Sequence, residues 1–214
     1  MIIARIQDHL EAIYAIRCFA RAADFLVNDE QASGLGATGR TAEELLVADG
    51  EGGLEVALYY APELLSQVRP YEAQGLTRAM EDAWAAYCQV AEGVSHFVYL
   101  AHVAEREQRV SLLELEVQGE IDKFATCVLQ RWSVSAEGYA QGLHRQLFDQ
   151  VSYLAGLEHH ERARYQEANR LARNYCLRLL VHVSARRMDR LLSELRYSYR
   201  LGAEAKLHYL ARAA

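Results

Sequence analysis

The sequence predicts a mainly α-helical fold: an antiparallel bundle of about five long helices, preceded by a small α+β lobe with a β-hairpin. Only 2 prolines and 13 glycines interrupt the 214 residues, which favours long helices over many short strands. From about residue 75 onward the apolar residues recur at helical spacing, whereas the preceding part is mixed in pattern. We therefore expect a lobe over residues 1–72 and a helical bundle over residues 73–214.

The lobe begins with a predicted helix whose apolar side is formed by Ile6, Leu10, Ile13 and Tyr14. The segment SGLGATG then predicts a loop. Residues 54–60 alternate in the manner of a half-buried strand, and DGEGG supplies a turn before them. We therefore predict a hairpin near residues 44–60.

Two further features of the lobe concern helix starts. Thr41 and Glu44 match a capping box, so a helix over residues 42–48 is an alternative to the first strand of the hairpin. In the segment APELLSQVR, Pro62 suits the first turn of a short helix.

The bundle is predicted to contain helices near residues 76–105, 112–132, 136–155, 158–184 and 186–211. The second has the clearest start, because Ser111 and Glu114 form a capping box. Ser135 is the predicted cap of the third helix, and Gly156 its predicted end. Since the connections are short, successive helices are expected to run antiparallel.

Charge is unevenly distributed along the chain. Residues 161–214 contain 12 Lys and Arg against 5 Asp and Glu, whereas the first 160 residues carry a net charge of −13, which gives −6 in total. A basic segment of this kind binds nucleic acid, the acidic part of its own chain, or another subunit. The sequence leaves these three uses open.

The N-terminus and the cysteines predict the compartment of the protein. Arg5, Asp8 and Glu11 interrupt the apolar pattern of the first helix, unlike a secretory signal, and no run approaches the roughly 18 apolar residues of a membrane span. The four cysteines lie far apart without the spacing of metal ligands. We expect a soluble cytoplasmic protein with reduced cysteines.

The stretch EGVSHFVYL places Glu92 and His96 one helical turn apart on the same face. With Val94 at the centre of the apolar stripe, both lie nearly opposite it, as a solvated pair would. From residue 97 onward, however, the helix is apolar almost all round, which is typical of a central helix. An exposed pair and an internal pair are both open.

The next helices carry polar residues beside their apolar stripes. Glu120 lies about 60° from the centre of its stripe and Glu116 one turn earlier, so the two carboxylates need a cation nearby. Lys123, an arginine from another helix, or a metal would serve. Five polar side chains are expected at similar heights in the bundle, and we call them the predicted polar layer: Glu92, His96, Glu116, Glu120 and Arg164. Within it, we expect His96 to contact Glu120 and Glu92 to orient His96.

Several functional motifs are missing from the sequence. It has no Glu-x-x-His pair of the kind that di-iron bundles use twice, no HExxH zinc motif and no glycine-rich phosphate loop. The sequence therefore favours a non-catalytic binding or regulatory module. Its expected partner is a protein, either a second copy of the chain or a different protein, and no membrane partner is expected.

Two alternative functions remain. One is an enzyme or a metal- or ligand-binding bundle that uses the predicted polar layer. The other is nucleic-acid binding through ARRMDRLLSELRYSYR, which interleaves arginine with tyrosine. The sequence assigns no cofactor, metal or catalytic residue.

Overall fold

The fold is given by a computed structural model that describes residues 1–50 and 53–212. It is mainly α-helical with a small sheet, as the sequence predicts. The described residues form ten α-helices: α1 (Ile2–Tyr14), α2 (Asp29–Gly34), α3 (Pro62–Val68), α4 (Leu76–Asp82), α5 (Trp84–Ala104), α6 (Leu112–Gln130), α7 (Trp132–Phe148), α8 (His159–Ser184), α9 (Met188–Arg200) and α10 (Ala203–Ala211).

The sheet contains β1 (Leu26–Val27), β2 (Glu43–Gly50) and β3 (Gly53–Tyr60) in the order β1-β3-β2. Strands β2 and β3 pair antiparallel, so the predicted hairpin is confirmed, although residues 51 and 52 of its turn lie outside the described residues. The two-residue β1 pairs parallel with β3 and is too short to show an alternating pattern in the sequence.

The alternative helix over residues 42–48 is wrong, because Glu44 has a different role. Its carboxylate accepts hydrogen bonds from the backbone N–H groups of Thr38 and Gly39, each at 2.8 Å, and so closes the loop before β2. The loop itself begins later than predicted. Helix α2 extends to Gly34 after a capping box formed by Asn28 and Gln31.

Three of the five predicted long helices differ in the structure. The first is broken at Ala83, where φ is −136° and ψ is 46°. The last is broken at Leu201 and Gly202, both of which have extended backbone angles. The third spans Trp132–Phe148, so Ser135 lies inside it, and Gly156 (φ 81°) belongs to the turn before α8. The predicted cap at Ser135 and the predicted end at Gly156 are therefore wrong.

One cluster of buried apolar side chains joins the helices. Helix α6 packs against α5, α7 and α8, and α1 packs against α5 and α9. The capping box of Ser111 and Glu114 at the start of α6 is confirmed, with both reciprocal hydrogen bonds present. The antiparallel arrangement and the boundary between residues 72 and 73 stay predictions.

Several arginines of the basic segment bind backbone carbonyls of the chain itself. Arg196 donates to the carbonyl of Ile13 at 2.8 Å, and Arg200 donates to that of Tyr14 at 3.3 Å. These are terminal carbonyls of α1, which have no partner within their own helix. Arg186 likewise donates to the carbonyl of Trp132 at 2.9 Å. Part of the positive charge therefore serves to hold helix ends.

The described residues also bear on the question of membrane spans. Among them, no helix combines the length and the apolar character that crossing a membrane requires.

Candidate functional site

Four elements bring seven charged or titratable side chains together between β2, α5, α6 and α8. We call this set the Glu/His cluster. Its side chains are between 10% and 25% exposed, which places them at the edge of the core rather than in bulk solvent. The members are Glu43, Glu92, His96, Glu116, Glu120, Lys123 and Arg164.

His96 lies between two carboxylates that come from different elements. Its Nδ1 is 3.8 Å from Oε1 of Glu43 at the start of β2. Its Nε2 is 4.0 Å from Oε2 of Glu116 on α6. Both separations exceed hydrogen-bond length, so the imidazole is flanked on either side by an acceptor that is close but not bonded.

Lys123 and Arg164 hold the remaining carboxylates. The Nζ of Lys123 donates to Glu92 at 3.1 Å and to Glu120 at 3.0 Å. The Nε of Arg164 lies 3.4 Å from Oε1 of Glu116. The cation beside Glu120 is therefore Lys123, one of the three cations that the sequence allows.

Two glycines inside the helices make this close approach possible. A Cβ at Gly93 on α5 would lie 2.5 Å from the hydroxyl of Tyr60 and 2.7 Å from Cγ of Glu43. A Cβ at Gly119 on α6 would lie 3.0 Å from Nε2 of His96. Glycine within a helix is otherwise unfavourable, so close approach accounts for both.

The first rung of the hairpin positions Glu43. Glu43 pairs with Tyr60 in the β2–β3 register. The buried hydroxyl of Tyr60 donates to the carbonyl of Val90 at 2.9 Å, which fixes this end of the hairpin on α5. Glu43 is absent from the residues that the sequence singles out, because its position depends on how the lobe packs.

Burial and neighbouring charges shift the pKa values in the cluster. Burial alone would lower the pKa of His96, but Glu43, Glu116 and Glu92 together raise it to about 9. Burial raises the pKa of Glu116 to about 7, against the effects of His96 and Arg164. Burial would raise the pKa of Glu92 too, yet Lys123 and His96 outweigh it and lower that pKa. The cluster therefore holds protons near neutral pH.

Three polar atoms of the cluster are buried without a hydrogen-bond partner among the described residues. They are Oε1 of Glu43, Nε2 of His96 and Nε of Arg164. Such atoms are rare in folded proteins and mark places where a ligand would complete the bonding.

The donor set suits a metal ion. One ligand atom each from Glu92, His96 and Glu116 can be chosen so that all lie within 4.8 Å of one another. Ligand atoms bound to one tetrahedral zinc at about 2.0–2.2 Å lie about 3.4 Å apart, so the three side chains would have to draw together by roughly 1 Å to bind the ion. The net charge also fits. Four carboxylates, Lys123 and Arg164 leave a charge of −2 when His96 is neutral.

All five residues of the predicted polar layer therefore fall within the Glu/His cluster, but two of the predicted pairings are wrong. His96 approaches Glu116 and Glu43 rather than Glu120. Glu92 bonds Lys123 instead of orienting His96. Gly93 and Gly119, in otherwise helical segments, are the sequence signals that could have revealed the close contacts of α5 and α6.

Comparison of the chain with protein-family models, with curated proteins and with solved structures gives no match.

Proposed function

We propose that the chain is a metal-binding helical protein whose Glu/His cluster holds one divalent cation through Glu92, His96 and Glu116. The observation that carries the proposal is the position of His96. Its Nε2 faces Glu116 and is unpartnered among the described residues, while its Nδ1 faces the carboxylate of Glu43. A histidine that ligates a metal commonly donates its second ring N–H to a carboxylate, and Glu43 lies 3.8 Å from that nitrogen, close enough to accept such a bond after a small movement.

The two cations of the cluster support this assignment. Lys123 bonds Oε2 of Glu92, and Arg164 lies beside Oε1 of Glu116. Each ligating carboxylate thus has one oxygen held by a cation and a second oxygen free to bind the metal. Contacts of this kind fix the orientation of the ligands before the ion arrives.

The kind of metal follows from the donor atoms. One imidazole nitrogen and two carboxylates suit zinc, manganese or iron(II) better than calcium or magnesium, which prefer oxygen ligands throughout. Three protein ligands leave a coordination position for water or for another ligand, as catalytic zinc sites do. The assignment therefore extends to an enzyme as well as to a structural metal protein.

The experiment is a calorimetric titration of chelator-treated protein with Zn²⁺ and with Mn²⁺ at pH 7. We expect one ion per chain, and loss of that binding in His96→Gln. The matched control is His102→Gln on the same helix, which should bind as the wild type does. Absence of stoichiometric binding in the wild type, or equal loss in the two variants, would contradict the proposal.

A protein-binding module is the second candidate, because α8 exposes apolar side chains one turn apart. Leu177 is 42% exposed and Val181 is 63% exposed. A second copy of the chain is the partner that can be tested directly. The mass of the wild type in solution would exceed that of one chain, and Val181→Glu would restore the mass of one chain. A wild type with the mass of one chain at high concentration would exclude this partner.

Nucleic-acid binding has less support. Arg186, Arg196 and Arg200 all donate to backbone carbonyls of the chain itself, which reduces the charge available to phosphates.

A further inference from the structure

A second polar pocket lies where helix α10 meets side chains of α5 and α6. The lysine of α10, Lys206, is completely buried. The Nζ of Lys206 donates to Oε1 of Gln118 at 2.5 Å. The same atom lies 3.8 Å from the centre of the Tyr99 ring and 5.5 Å from that of Tyr199.

The groups that receive Lys206 are held by bonds that do not involve α10. Asp122 accepts hydrogen bonds from Tyr14, from Ser95 at 2.5 Å and from Gln118 at 2.7 Å. The amide of Gln118 also donates to the hydroxyl of Tyr14 at 3.0 Å. Since its NH₂ group is used in these bonds, the carbonyl oxygen of Gln118 is left to face a donor.

Two aromatic walls complete the pocket. The ring of Tyr199 stacks on that of Tyr14 with centroids 3.8 Å apart, and it meets the ring of Tyr99 edge to face at 5.1 Å. Tyrosine faces attract an ammonium nitrogen through their negative π-surface, and they pack against the alkyl chain of an amine in either protonation state. A carbonyl acceptor, a nearby carboxylate and two aromatic faces together are a recognition site for a primary amine.

Lys206 leaves part of this bonding capacity unused. Its amine bonds one acceptor among the described residues, although an ammonium carries three N–H donors. The hydroxyl of Tyr199 and Nε2 of His102, whose rings lie 5.2 Å apart, are buried without a hydrogen-bond partner among the described residues. Hydrogen-bonding capacity in this part of the core is therefore not used up by Lys206 itself.

Helix α10 is a short helix that packs against α8 and α9. It has nine residues and follows the extended backbone of Leu201 and Gly202. At its far end Arg178 donates to the carbonyls of Tyr209 and Arg212, at 3.2 Å and 2.5 Å. A displacement of α10 at the Leu201–Gly202 junction would break these Arg178 bonds but would not require α9 to unwind.

We propose that the pocket formed by Tyr14, Tyr99, Gln118, Asp122 and Tyr199 is a binding site for a small primary alkylamine, and that Lys206 fills it as an internal ligand until α10 moves aside. This proposal does not depend on metal binding at the Glu/His cluster.

Near neutral pH, the pocket holds Lys206 in both its neutral and its charged form. Burial lowers the pKa of Lys206 to about 7, despite the opposing effects of Asp122 and Glu114. The pocket thus accepts the neutral amine as well as the ammonium near neutral pH.

The test is chemical rescue of Lys206→Ala in the full chain. This substitution removes three carbons and the amine, which n-propylamine replaces atom for atom. We expect n-propylamine at ten times its dissociation constant to raise the Tm of the variant by about 3 °C. The matched ligand 1-propanol, which lacks the amine, should give a smaller rise. Lys206→Met, whose side chain fills the pocket, should not respond to the amine.

A second measurement uses the wild type, in case Lys206→Ala does not fold. If the amine competes with Lys206, it should accelerate amide hydrogen exchange across residues 203–211 relative to the same concentration of 1-propanol. Equal effects of amine and alcohol on the Tm of Lys206→Ala, equal rescue of Lys206→Met, or unchanged exchange in the wild type would each overturn the proposal.

Discussion

Nδ1 of His96 and Oε1 of Glu43 lie 3.8 Å apart, although one is on helix α5 and the other begins strand β2. This proximity places a carboxylate of the hairpin beside the imidazole. It makes Glu43 a positioning residue for the proposed metal site rather than a ligand.

Glu43→Gln should weaken Zn²⁺ binding roughly 10–100-fold, because an orienting carboxylate tunes the histidine that it faces. The measurement is calorimetric titration at pH 7. Glu44→Gln is the matched control, since Glu44 adjoins Glu43 on β2 but bonds Thr38 and Gly39. An unchanged affinity in Glu43→Gln would show that His96 needs no such partner.

Gly93→Ala should destabilise the protein by about 1–3 kcal/mol, because the new methyl group would overlap Tyr60 and Glu43. The free energy of unfolding in urea measures the effect. Gly142→Ala on α7 is the control. Its new methyl group meets no described atom within 4 Å, so it should gain about 0.5–1 kcal/mol from the better helix former. A gain in both variants would mean that the hairpin moves away easily.

Lys123→Met should cost about 3–5 kcal/mol, because it leaves two partly buried carboxylates without their cation. Adding Glu120→Gln should recover part of this loss, since the pair is coupled. In contrast, Glu120→Gln combined with His96→Gln should be close to additive. Urea unfolding of chelator-treated protein checks the two cycles, and additivity in the Lys123 cycle would contradict the expected pairing.

Ser111→Ala should cost about 1 kcal/mol, because the Glu114 backbone N–H loses its acceptor at the start of α6. Ser193→Ala on the exposed side of α9 serves as the control and should be neutral. Thermal unfolding of both variants is the measurement. Equal stability of the two variants would show that the side chain of Ser111 does not stabilise the start of α6.

The stability of the protein should rise with pH through the contribution of Lys206. Its pKa is about 7 in the folded chain and 10.5 as the ordinary value, so the unfolded chain binds more protons between these limits. The free energy of unfolding of the wild type, relative to Lys206→Met, should therefore increase from pH 7 to pH 10. A difference that stays constant would show that the amine titrates normally.

Local signals in the sequence account for what could be predicted of the fold. The capping box at Ser111 lies within four residues, and the alternation of residues 54–60 lies within one strand, so both are visible without tertiary information. The break at Ala83 is different, because residues 81–86 contain neither glycine nor proline to mark it. The break depends on how the surrounding elements pack, which these six residues do not indicate.

The sequence predicts which helical residues lie in the candidate site better than it predicts which of them are in contact. Helix geometry places Glu116 and Glu120 beside the apolar stripe of α6, and equal height in the bundle brings His96 near Glu116. Height alone does not distinguish Glu116 from Glu120 as the neighbour of His96. Glu43 lies in the hairpin rather than in the helical bundle, so its place in the cluster depends on how the lobe packs on α5.

The carbonyl groups that end α1 are bonded by Arg196 and Arg200, which lie more than 180 residues further along the chain. During synthesis, α1 therefore leaves the ribosome long before the arginines that complete it. In that interval the C-terminal end of α1, where Tyr14 stacks on Tyr199 in the folded core, has no α9 to pack against. Long-range closure of this kind slows folding and leaves apolar surface exposed for longer, so we expect aggregation to compete with folding of the nascent chain.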